Sequence, residues 1–418
     1  RKAGWDTHGL PVELGVEKEL GITKEDIGKK ISVDDYNAAC RKNVMKYTKE
    51  WSDLTRKMGY WVDLENPYIT YDNKYIETLW FLLKELYQKG YLYKGYTIQP
   101  YSPAAGTGLS SHELNQPGCY RDVKDTTVVA QFKMKNPKPE MSAFGTPYFL
   151  AWTTTPWTLT SNTALCVGPN IEYVAVQSFN PYTGQPATYI VAKDLLNAHF
   201  NPKASEIARE DYKPGDKLVP FKVVANYKGV DLVGMQYVPL LDWITPENAD
   251  KAFRVIPGDY VTTEDGTGIV HIAPTFGADD AKVAKAADIP PMQLVDKYGN
   301  LRPSVDLTGK FYLLSDLDPE YVKTHINVEA YKRFEGRFVK NAYDLNLTDK
   351  DETLDVSICM ELKSNNKAFK IEKHTHNYPH CWRTDKPVLY YPLDSWFIKT
   401  TALKDRMIEL NKTINWKP

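Results

Sequence analysis

One stretch of the sequence decides the fold: Tyr148-Phe149-Leu150-Ala151-Trp152-Thr153-Thr154-Thr155-Pro156-Trp157-Thr158. Its aromatic and apolar first half is typical of a buried β-strand, and Pro156 ends the strand because it cannot donate a ladder hydrogen bond. The strand therefore ends in three consecutive threonines. Threonine runs are usually plain strand surface, but hydroxyls and free backbone amides at a strand end can also hold a ribose and an ester carbonyl through hydrogen bonds.

Short β-rich runs separated by Gly, Pro and Asn surround this strand beyond Val123. They cover residues 126–132, 148–153, 173–176, 187–192, 253–256 and 268–272. Such spacing predicts a barrel-like β domain. Helical periodicity returns after Asp351 through Leu354, Ile358 and Leu362. The expected fold class therefore combines α/β and β parts.

The N-terminal region has the periodicity of helices. Apolar residues recur every three or four positions between Ser32 and Met58, which predicts one long amphipathic helix. A second helix is predicted from about Asn73, with Gly90 as its stop signal, and we expect the two helices to pack. The predicted organisation is a helical segment at 1–118, an inserted β domain at 119–373 and a return to the first domain at 374–418.

The composition describes a globular protein without a strong electrostatic preference. The 418 residues are 42% hydrophobic and 25% charged, with a net charge of −1. Several domains are therefore expected, and any RNA contact should be local. The five scattered cysteines predict a reduced, cytoplasmic location. No apolar run approaches the roughly 20 residues of a membrane helix. Because the chain begins at Arg1 and stops after an unfinished helix-like stretch, we expect a section of a longer protein. Separately, a monomer is expected.

A second motif, Gly266-Thr267-Gly268-Ile269-Val270-His271-Ile272-Ala273-Pro274, leads into Phe276-Gly277-Ala278-Asp279-Asp280. Its G-x-G pair lacks the third glycine of a dinucleotide fingerprint and opens a strand rather than a helix, so a Rossmann cofactor site is rejected here. A histidine at a strand end is more often a structural residue than a functional one. By itself, His271 is therefore weak evidence of a site.

A third motif, Gly4-Trp5-Asp6-Thr7-His8-Gly9-Leu10-Pro11-Val12-Glu13, places an aromatic residue, a carboxylate and two glycines in one loop. One interpretation is a tight structural turn. The other is a loop in which Asp6 holds an ammonium group while the glycines let the backbone approach a small ligand.

Together these motifs resemble the isoleucyl-tRNA synthetases, which are class I aminoacyl-tRNA synthetases. G-W-D-x-H-G-L-P-x-E is similar to the segment that follows the family's first signature motif, and T-T-T-P-W-T-L is similar to its editing-site threonine run. The resemblance implies a β-barrel-like editing domain inserted into a Rossmann-like catalytic domain. It also implies that Asp6 binds the α-amino group of the amino acid and that Trp396, in an S-W-F element, lies on the synthetic side.

For the inserted domain, the resemblance implies hydrolysis of valine from mischarged Val-tRNA(Ile). Thr153 and Thr155 would position the ester and a water molecule, His271 would line the pocket, and Asp280 would grip the α-ammonium group. Such a site is needed because one methylene gives only about 1 to 3 kcal/mol of discrimination, a limit already documented for this family. As a loop carboxylate expected to be exposed, Asp280 should contribute little to stability.

Further residues beside the two motifs are candidates for substrate binding. These are Thr154, Trp157, Thr158 and Asp279. We expect Trp157, Thr158 and His271 to form the wall that excludes isoleucine, because they are bulky and lie at the motifs.

Other features limit what this segment is expected to do alone. Neither H-I-G-H nor K-M-S-K-S, the class I motifs for adenylate formation, occurs in it. ATP and Mg are therefore expected for the parent enzyme, and no cofactor for this segment. Many relatives carry a zinc site of four cysteines, whereas the equivalent residues here are Ser102, Ala105, Cys381 and Thr384. A single thiol remains, so no bound metal is expected.

The expected partners are the acceptor end of tRNA(Ile) and a valine or isoleucine moiety, with no membrane. Two alternatives stay open. The valyl and leucyl enzymes tend to carry T-T-R-P, against which Thr155-Pro156-Trp157 argues. A noncatalytic module that binds the acceptor end would have the same motifs but release no valine.

Overall fold

The computed structural model describes residues 1–348 and 350–416. Contacts divide the chain into two compact units, one made of Arg1–Gly95 and the segment from Ser395 onward, the other of Tyr96–Asp394. In sequence, the second unit is therefore inserted into the first. Among the described residues, no helix is both long and apolar enough to cross a lipid bilayer.

Strands and helices alternate along the whole chain, and most of the long strands lie in the second unit. The strands are β1 (Lys2–Trp5), β2 (Asp63–Ile69), β3 (Leu92–Ser102), β4 (Thr107–Gly108), β5 (Tyr120–Lys133), β6 (Thr146–Thr153), β7 (Ala164–Val167), β8 (Glu172–Phe179), β9 (Pro186–Ala192), β10 (Lys222–Lys228), β11 (Arg254–Pro257), β12 (Ile269–Ile272), β13 (Leu294–Val295), β14 (Leu301–Arg302), β15 (Ala368–Pro379) and β16 (Leu389–Ile398). The helices are α1 (Leu10–Leu20), α2 (Val33–Val44), α3 (Thr48–Lys57), α4 (Asn73–Gln88), α5 (Ser111–Leu114), α6 (Leu196–His199), α7 (Ala278–Ala286), α8 (Pro319–His325), α9 (Val328–Tyr331), α10 (Leu354–Ser364) and α11 (Lys404–Lys412).

The single helix expected between Ser32 and Met58 is two helices, α2 and α3. The break is explained by Thr48, whose hydroxyl donates to the Met45 carbonyl at 3.0 Å and so competes with the helical hydrogen bonds. The second predicted helix agrees with α4, after which Gly90 has a φ of 71°.

The two helices predicted from the sequence were expected to pack against each other, but the apolar side chains expected at their contact are not buried. The side chains of Trp51 and Leu79 are 59% and 46% exposed. Elsewhere in this unit, β1 and β2 pair in parallel, and the Thr7 amide donates to the Thr70 hydroxyl at 2.9 Å beyond the strand ends.

A six-stranded sheet forms the framework of the second unit, in the order β10-β8-β9-β6-β5-β15. Neighbouring strands are antiparallel except β6 and β9, which are parallel. Phe149, Leu150 and Ile190 are fully buried at its centre. This sheet contains the β runs predicted at 126–132, 148–153, 173–176 and 187–192.

The strands do not form the expected barrel among the described residues. The six-stranded sheet is open, with β10 and β15 at its two edges, and the order β11-β7-β12 forms a separate sheet. The sheets are separate because the buried 3-10 segment Pro156–Ser161 carries the chain out of β6 in one sheet and toward β7 in the other. The second unit is therefore a mixed α/β arrangement of several sheets.

The pairing of β5 with β15 bears on the predicted domain limits. These strands pair from Ala130 opposite Ala368 to Tyr120 opposite Pro379. The limit expected at 118/119 thus falls just before β5, and the limit expected at 373/374 falls within β15. Both lie inside the unit Tyr96–Asp394. The boundaries of the inserted domain stay a prediction.

We predict that Gly145→Ala strongly destabilises the second unit. Gly145 precedes β6 with a φ of 68°, and a Cβ there would lie 2.0 Å from the Pro186 carbonyl oxygen at the start of β9. The left-handed conformation costs about 1 kcal/mol for alanine and the backbone clash adds to it, so the free energy of unfolding measured in urea should fall by more than about 2 kcal/mol.

The matched control is Gly299→Ala. Gly299 has a φ of 81°, but nothing lies within 4 Å of an added Cβ. Equal losses in the two variants would contradict a close approach of β9 to Gly145.

Candidate active site

The threonine run lies at the end of β6, where the Thr153 side chain is hydrogen-bonded to the backbone of the residues that follow. The Thr155 amide donates to the Thr153 hydroxyl at 3.1 Å, and the two hydroxyl oxygens are 3.3 Å apart. Thr153 is buried, whereas Thr154 and Thr155 are partly exposed. The strand end therefore presents hydroxyls held in place by local hydrogen bonds.

Thr158 connects this strand end to the second motif. Its hydroxyl donates to the Thr155 carbonyl at 2.8 Å, and its oxygen lies 3.2 Å from Nε2 of His271. His271 is on β12, opposite Leu165 of β7. The threonine and histidine motifs, 113 residues apart at this contact, are thus brought together.

The same contact assigns the tautomer of His271. Because the single hydroxyl hydrogen of Thr158 is used on the Thr155 carbonyl, Nε2 of the imidazole carries the hydrogen and donates. Nδ1 is then a bare acceptor, and it is buried without a hydrogen-bond partner in the described part of the chain. Burial lowers the pKa of His271 to about 4, so the ring is neutral at pH 7.

Asp280 lies in the first turn of α7. Its Oδ2 accepts a hydrogen bond at 2.9 Å from the amide of Ala273, and Ala273 is two residues after His271. Gly277 permits this geometry, since a Cβ there would lie 2.7 Å from the Asp280 carboxyl carbon. Burial raises the pKa of Asp280 to about 6; the bond from Ala273 opposes the rise and the charge of Asp279 adds to it. The expectation of an exposed loop carboxylate is therefore wrong for Asp280, although Asp279 is exposed.

Trp157 lies in the core behind the threonine run. Its side chain is 3% exposed and its ring packs edge-on against Phe276 at 4.8 Å. Its backbone amide donates to Oδ1 of Asp355 at 2.9 Å. Sequence reasoning missed Asp355, because a carboxylate in the first turn of a helix, here α10, is an ordinary capping feature.

Asp6 and Trp396 belong to the other compact unit. Asp6 is exposed and its carboxylate accepts from the His8 amide at 3.5 Å. Trp396 is 62% exposed and contacts Tyr87 edge-on at 6.5 Å. Within this unit, no contact described here joins these two candidates to each other.

A cavity of 630 Å³ adjoins α7 but is distinct from the threonine and histidine contacts. Its lining includes Pro274, Ala278, Lys282 and Lys285, and does not include Asp280 or the threonines. A cavity shared by Asp280 and Thr155 stays a prediction.

The four residues at the expected zinc position do come together. The Ala105 amide donates to the Ser102 hydroxyl at 3.2 Å, and the hydroxyls of Ser102 and Thr384 lie close enough to the Cys381 thiol to lower its pKa. Burial by itself would raise the pKa of Cys381, but the two hydroxyls and the backbone amides of Arg383 and Thr384 lower it overall. No group of three or more His, Cys, Asp or Glu side chains suited to a metal ion occurs in residues 1–348 and 350–416. This donor set does not fit zinc, because it contains one thiol and two hydroxyls.

The chain belongs to the class I tRNA synthetases: the family model described as tRNA synthetases class I (I, L, M and V) matches residues 1–418. Among curated relatives, it is 79% identical to the isoleucine–tRNA ligase of Bacteroides fragilis over 418 residues, which cover all of this chain and 36% of that protein. It is 72% identical to the isoleucine–tRNA ligase of Bacteroides thetaiotaomicron over 437 residues, which cover all of this chain and 38% of that protein. It is 41% identical to that of Clostridium novyi over 418 residues, all of this chain and 33% of that protein. The resemblance seen in the motifs is confirmed, and the chain spans about a third of the length of these relatives.

Solved structures give weaker matches. The CP1 structure titled GlLeuRS-CP1 is 16% identical, with a TM-score of 0.33, and covers 60% of this chain and 100% of its own. The editing domain of the Plasmodium knowlesi cytosolic leucyl-tRNA synthetase is 14% identical, with a TM-score of 0.35, and covers 60% of this chain and 97% of its own. Scores of this size do not establish a shared fold.

We predict that the imidazole of His271 titrates near pH 4. The buried neutral ring contributes fully to the free energy of unfolding above the ordinary pKa of 6.5, and this contribution is lost as the pH falls toward about 4. The loss occurs because, between these pH values, the ring binds a proton in the unfolded chain but not in the folded one. By linkage, the loss can reach about 3 kcal/mol. The measurement is the NMR titration of the His271 ring together with urea unfolding at several pH values.

His271→Gln identifies the ring resonance and serves as the reference for stability. Asp280, whose raised pKa acts in the opposite direction, is unchanged in both proteins, so their difference isolates the imidazole. A midpoint near pH 6.5 would contradict the assignment.

We predict that this chain retains no stoichiometric zinc and that the triple variant Ser102→Cys, Ala105→Cys, Thr384→Cys gains it. The substitutions put four thiols at residues that already meet around Cys381. Elemental analysis after dialysis checks both proteins, with Cys381→Ser in the triple background as the control. One zinc per wild-type chain would refute the prediction.

Proposed function

We propose that this chain is a section of an isoleucine–tRNA ligase and carries the site that hydrolyses mischarged Val-tRNA(Ile). The observation that carries the proposal is the hydrogen bond between Thr158 and His271, which joins the two motifs of the editing site. The Asp280 carboxylate accepts a hydrogen bond from the amide of Ala273, directly after the strand β12 that carries His271. The 79% identity to an isoleucine–tRNA ligase supports the isoleucine branch.

In this proposal, the chemistry needs little beyond positioning. An aminoacyl ester is already activated, so its hydrolysis requires a placed water, donors for the developing oxyanion and an anchored substrate. The hydroxyls of Thr153 and Thr155 bind the ester and the water at the end of β6. Asp280 binds the α-ammonium group, and above about pH 6 its carboxylate is charged for this purpose.

The neutral ring of His271 and the methyl group of Thr158 form the wall that admits valine and excludes isoleucine. A neutral imidazole suits this role, since a charged ring would repel the substrate ammonium group. Trp157 supports the wall from the core, because its ring is almost fully buried. Thr154 and Asp279 lie at the exposed margin, where they contact the rest of the substrate.

For the whole enzyme, we propose attachment of isoleucine to tRNA(Ile) with ATP and Mg in a Rossmann-like catalytic domain that includes Asp6 and Trp396. The editing part would be the inserted unit with its open six-stranded sheet, and the tRNA acceptor end its partner. The parallel pair β1–β2 and the insertion of one unit into the other in sequence support this organisation. We also propose that the enzyme is a monomer in the cytoplasm; its five free cysteines agree with a reducing compartment.

We predict that the chain releases valine from preformed Val-tRNA(Ile) and that Asp280→Asn lowers kcat/KM about 100-fold, because the charged clasp on the ammonium group is lost. Asparagine keeps an oxygen for the Ala273 amide, so the fold should persist. The measurement is release of labelled valine, with circular dichroism of each variant.

The control is Asp194→Asn, which changes an exposed carboxylate of the same unit and should leave the rate unaltered. Preferential hydrolysis of Thr-tRNA(Val) would indicate the valyl branch. Binding of Val-tRNA(Ile) without release of valine would indicate a noncatalytic module and reject the proposal.

A further inference from the structure

A carboxylate from a remote helix caps the buried segment that follows the threonine run. In the first turn of the 3-10 segment Pro156–Ser161, Pro156 has no amide hydrogen and the Thr158 amide donates to the Thr155 carbonyl at 3.0 Å. The Trp157 amide is therefore the one that needs a partner from outside the turn. Thr155, which precedes the segment, supplies no side-chain cap. The Trp157 amide instead donates to Oδ1 of Asp355 at 2.9 Å, 198 residues along the chain. Asp355 is 3% exposed, so this bond is shielded from water.

The charge of Asp355 is balanced inside the protein. Nζ of Lys340 lies 3.8 Å from Oδ2 of Asp355 and 2.9 Å from Oδ2 of Asp125 on β5. His376 on β15 contacts the same oxygen of Asp125 at 3.2 Å. Lys340 also lies over the Tyr378 ring, 4.9 Å from its centre. A buried carboxylate without such a partner would be strongly destabilising.

Burial raises the pKa of Asp355 to about 6, and the charge of Lys340 and the Trp157 amide limit the rise. The group is therefore largely ionised at neutral pH. An ionised acceptor makes a stronger hydrogen bond to a backbone amide than a neutral one. The cap thus depends on Lys340 as well as on Asp355.

This cap acts on the residues that form the candidate site. Trp157 lies between Thr155 and Thr158 in the sequence, and the Thr158 hydroxyl bonds both the Thr155 carbonyl and His271. A rotation of the Trp157 peptide would move all three groups. Such a movement matters because a displacement of about 1 Å in a site can cost about 100-fold in rate.

We infer that Asp355 is a positioning residue for the hydrolysis proposed above. Held by Lys340, its carboxylate orients the threonine segment through the Trp157 amide and so aligns Thr155, Thr158 and His271. The inference rests on the proposed function. It means that α10, which is remote in sequence from the threonine run, helps to orient the residues of the site.

The direct test is NMR of the Trp157 amide in the whole chain. The step from Pro156 to Trp157 is the only Pro-Trp pair in the sequence, so carbonyl-labelled proline with ¹⁵N-tryptophan gives one correlation peak. We expect its amide proton far downfield in the wild type, upfield in Asp355→Leu and intermediate in Asp355→Asn, which keeps an acceptor oxygen. Asp194→Asn should leave the peak unmoved.

The kinetic test uses the same variants with Val-tRNA(Ile). For Asp355→Leu we expect kcat to fall at least about tenfold with KM changed less than about twofold, because the segment is misaligned while tRNA contacts persist. Asp355→Asn should lose only about two- to fivefold, and that partial rescue is not expected of a purely structural defect. If Asp355→Leu fails to fold, Asp355→Ser, too short to reach the amide, replaces it.

The outcomes separate this inference from the function on which it rests. A wild type that releases no valine rejects the proposed function, and the inference with it. An active wild type whose Asp355→Leu variant shifts the Trp157 peak but keeps full kcat overturns the inference alone. An unshifted peak in Asp355→Leu also overturns it, because the bond would then not hold the amide.

Discussion

The Thr158 hydroxyl is the point on which the candidate site depends. It has one hydrogen, which it gives to the Thr155 carbonyl, and one oxygen, which receives the Nε2 hydrogen of His271. The first bond shapes the turn after β6, and the second ties that turn to β12 in the other sheet. A serine could make both bonds, but its missing methyl group would leave space beside the imidazole.

Burial gives unlike protonation states to the three ionisable groups that are bonded to the two motifs. His271 is kept neutral, whereas Asp280 and Asp355 have raised pKa values but different partners. Asp355 is matched by Lys340, so its charge serves the fold. Asp280 receives one backbone amide and has no cation within ion-pair distance in the described part of the chain, so its charge is available for a ligand.

The sequence allowed much of the strand content to be predicted, because apolar runs such as 148–153 and 187–192 are buried on both faces of the central sheet. It did not reveal β15, whose alternating Lys370, Glu372 and His374 resemble a solvated loop although the backbone pairs with β5. The two site motifs were predicted through their resemblance to a family. Their contact was not deducible from spacing, and the capping role of Asp355 had no local signal, since both are long-range hydrogen bonds.

The separation of 198 positions between Trp157 and Asp355 also has a consequence for the nascent protein. At about 5 to 20 residues per second, a ribosome needs on the order of 10 to 40 s to make that stretch. During this interval, the threonine turn exists without its cap, and β5 lacks the edge strand β15. The site is therefore completed only after α10 has been made, and a chain arrested before α10 would expose an unpaired strand edge, which is a risk for aggregation.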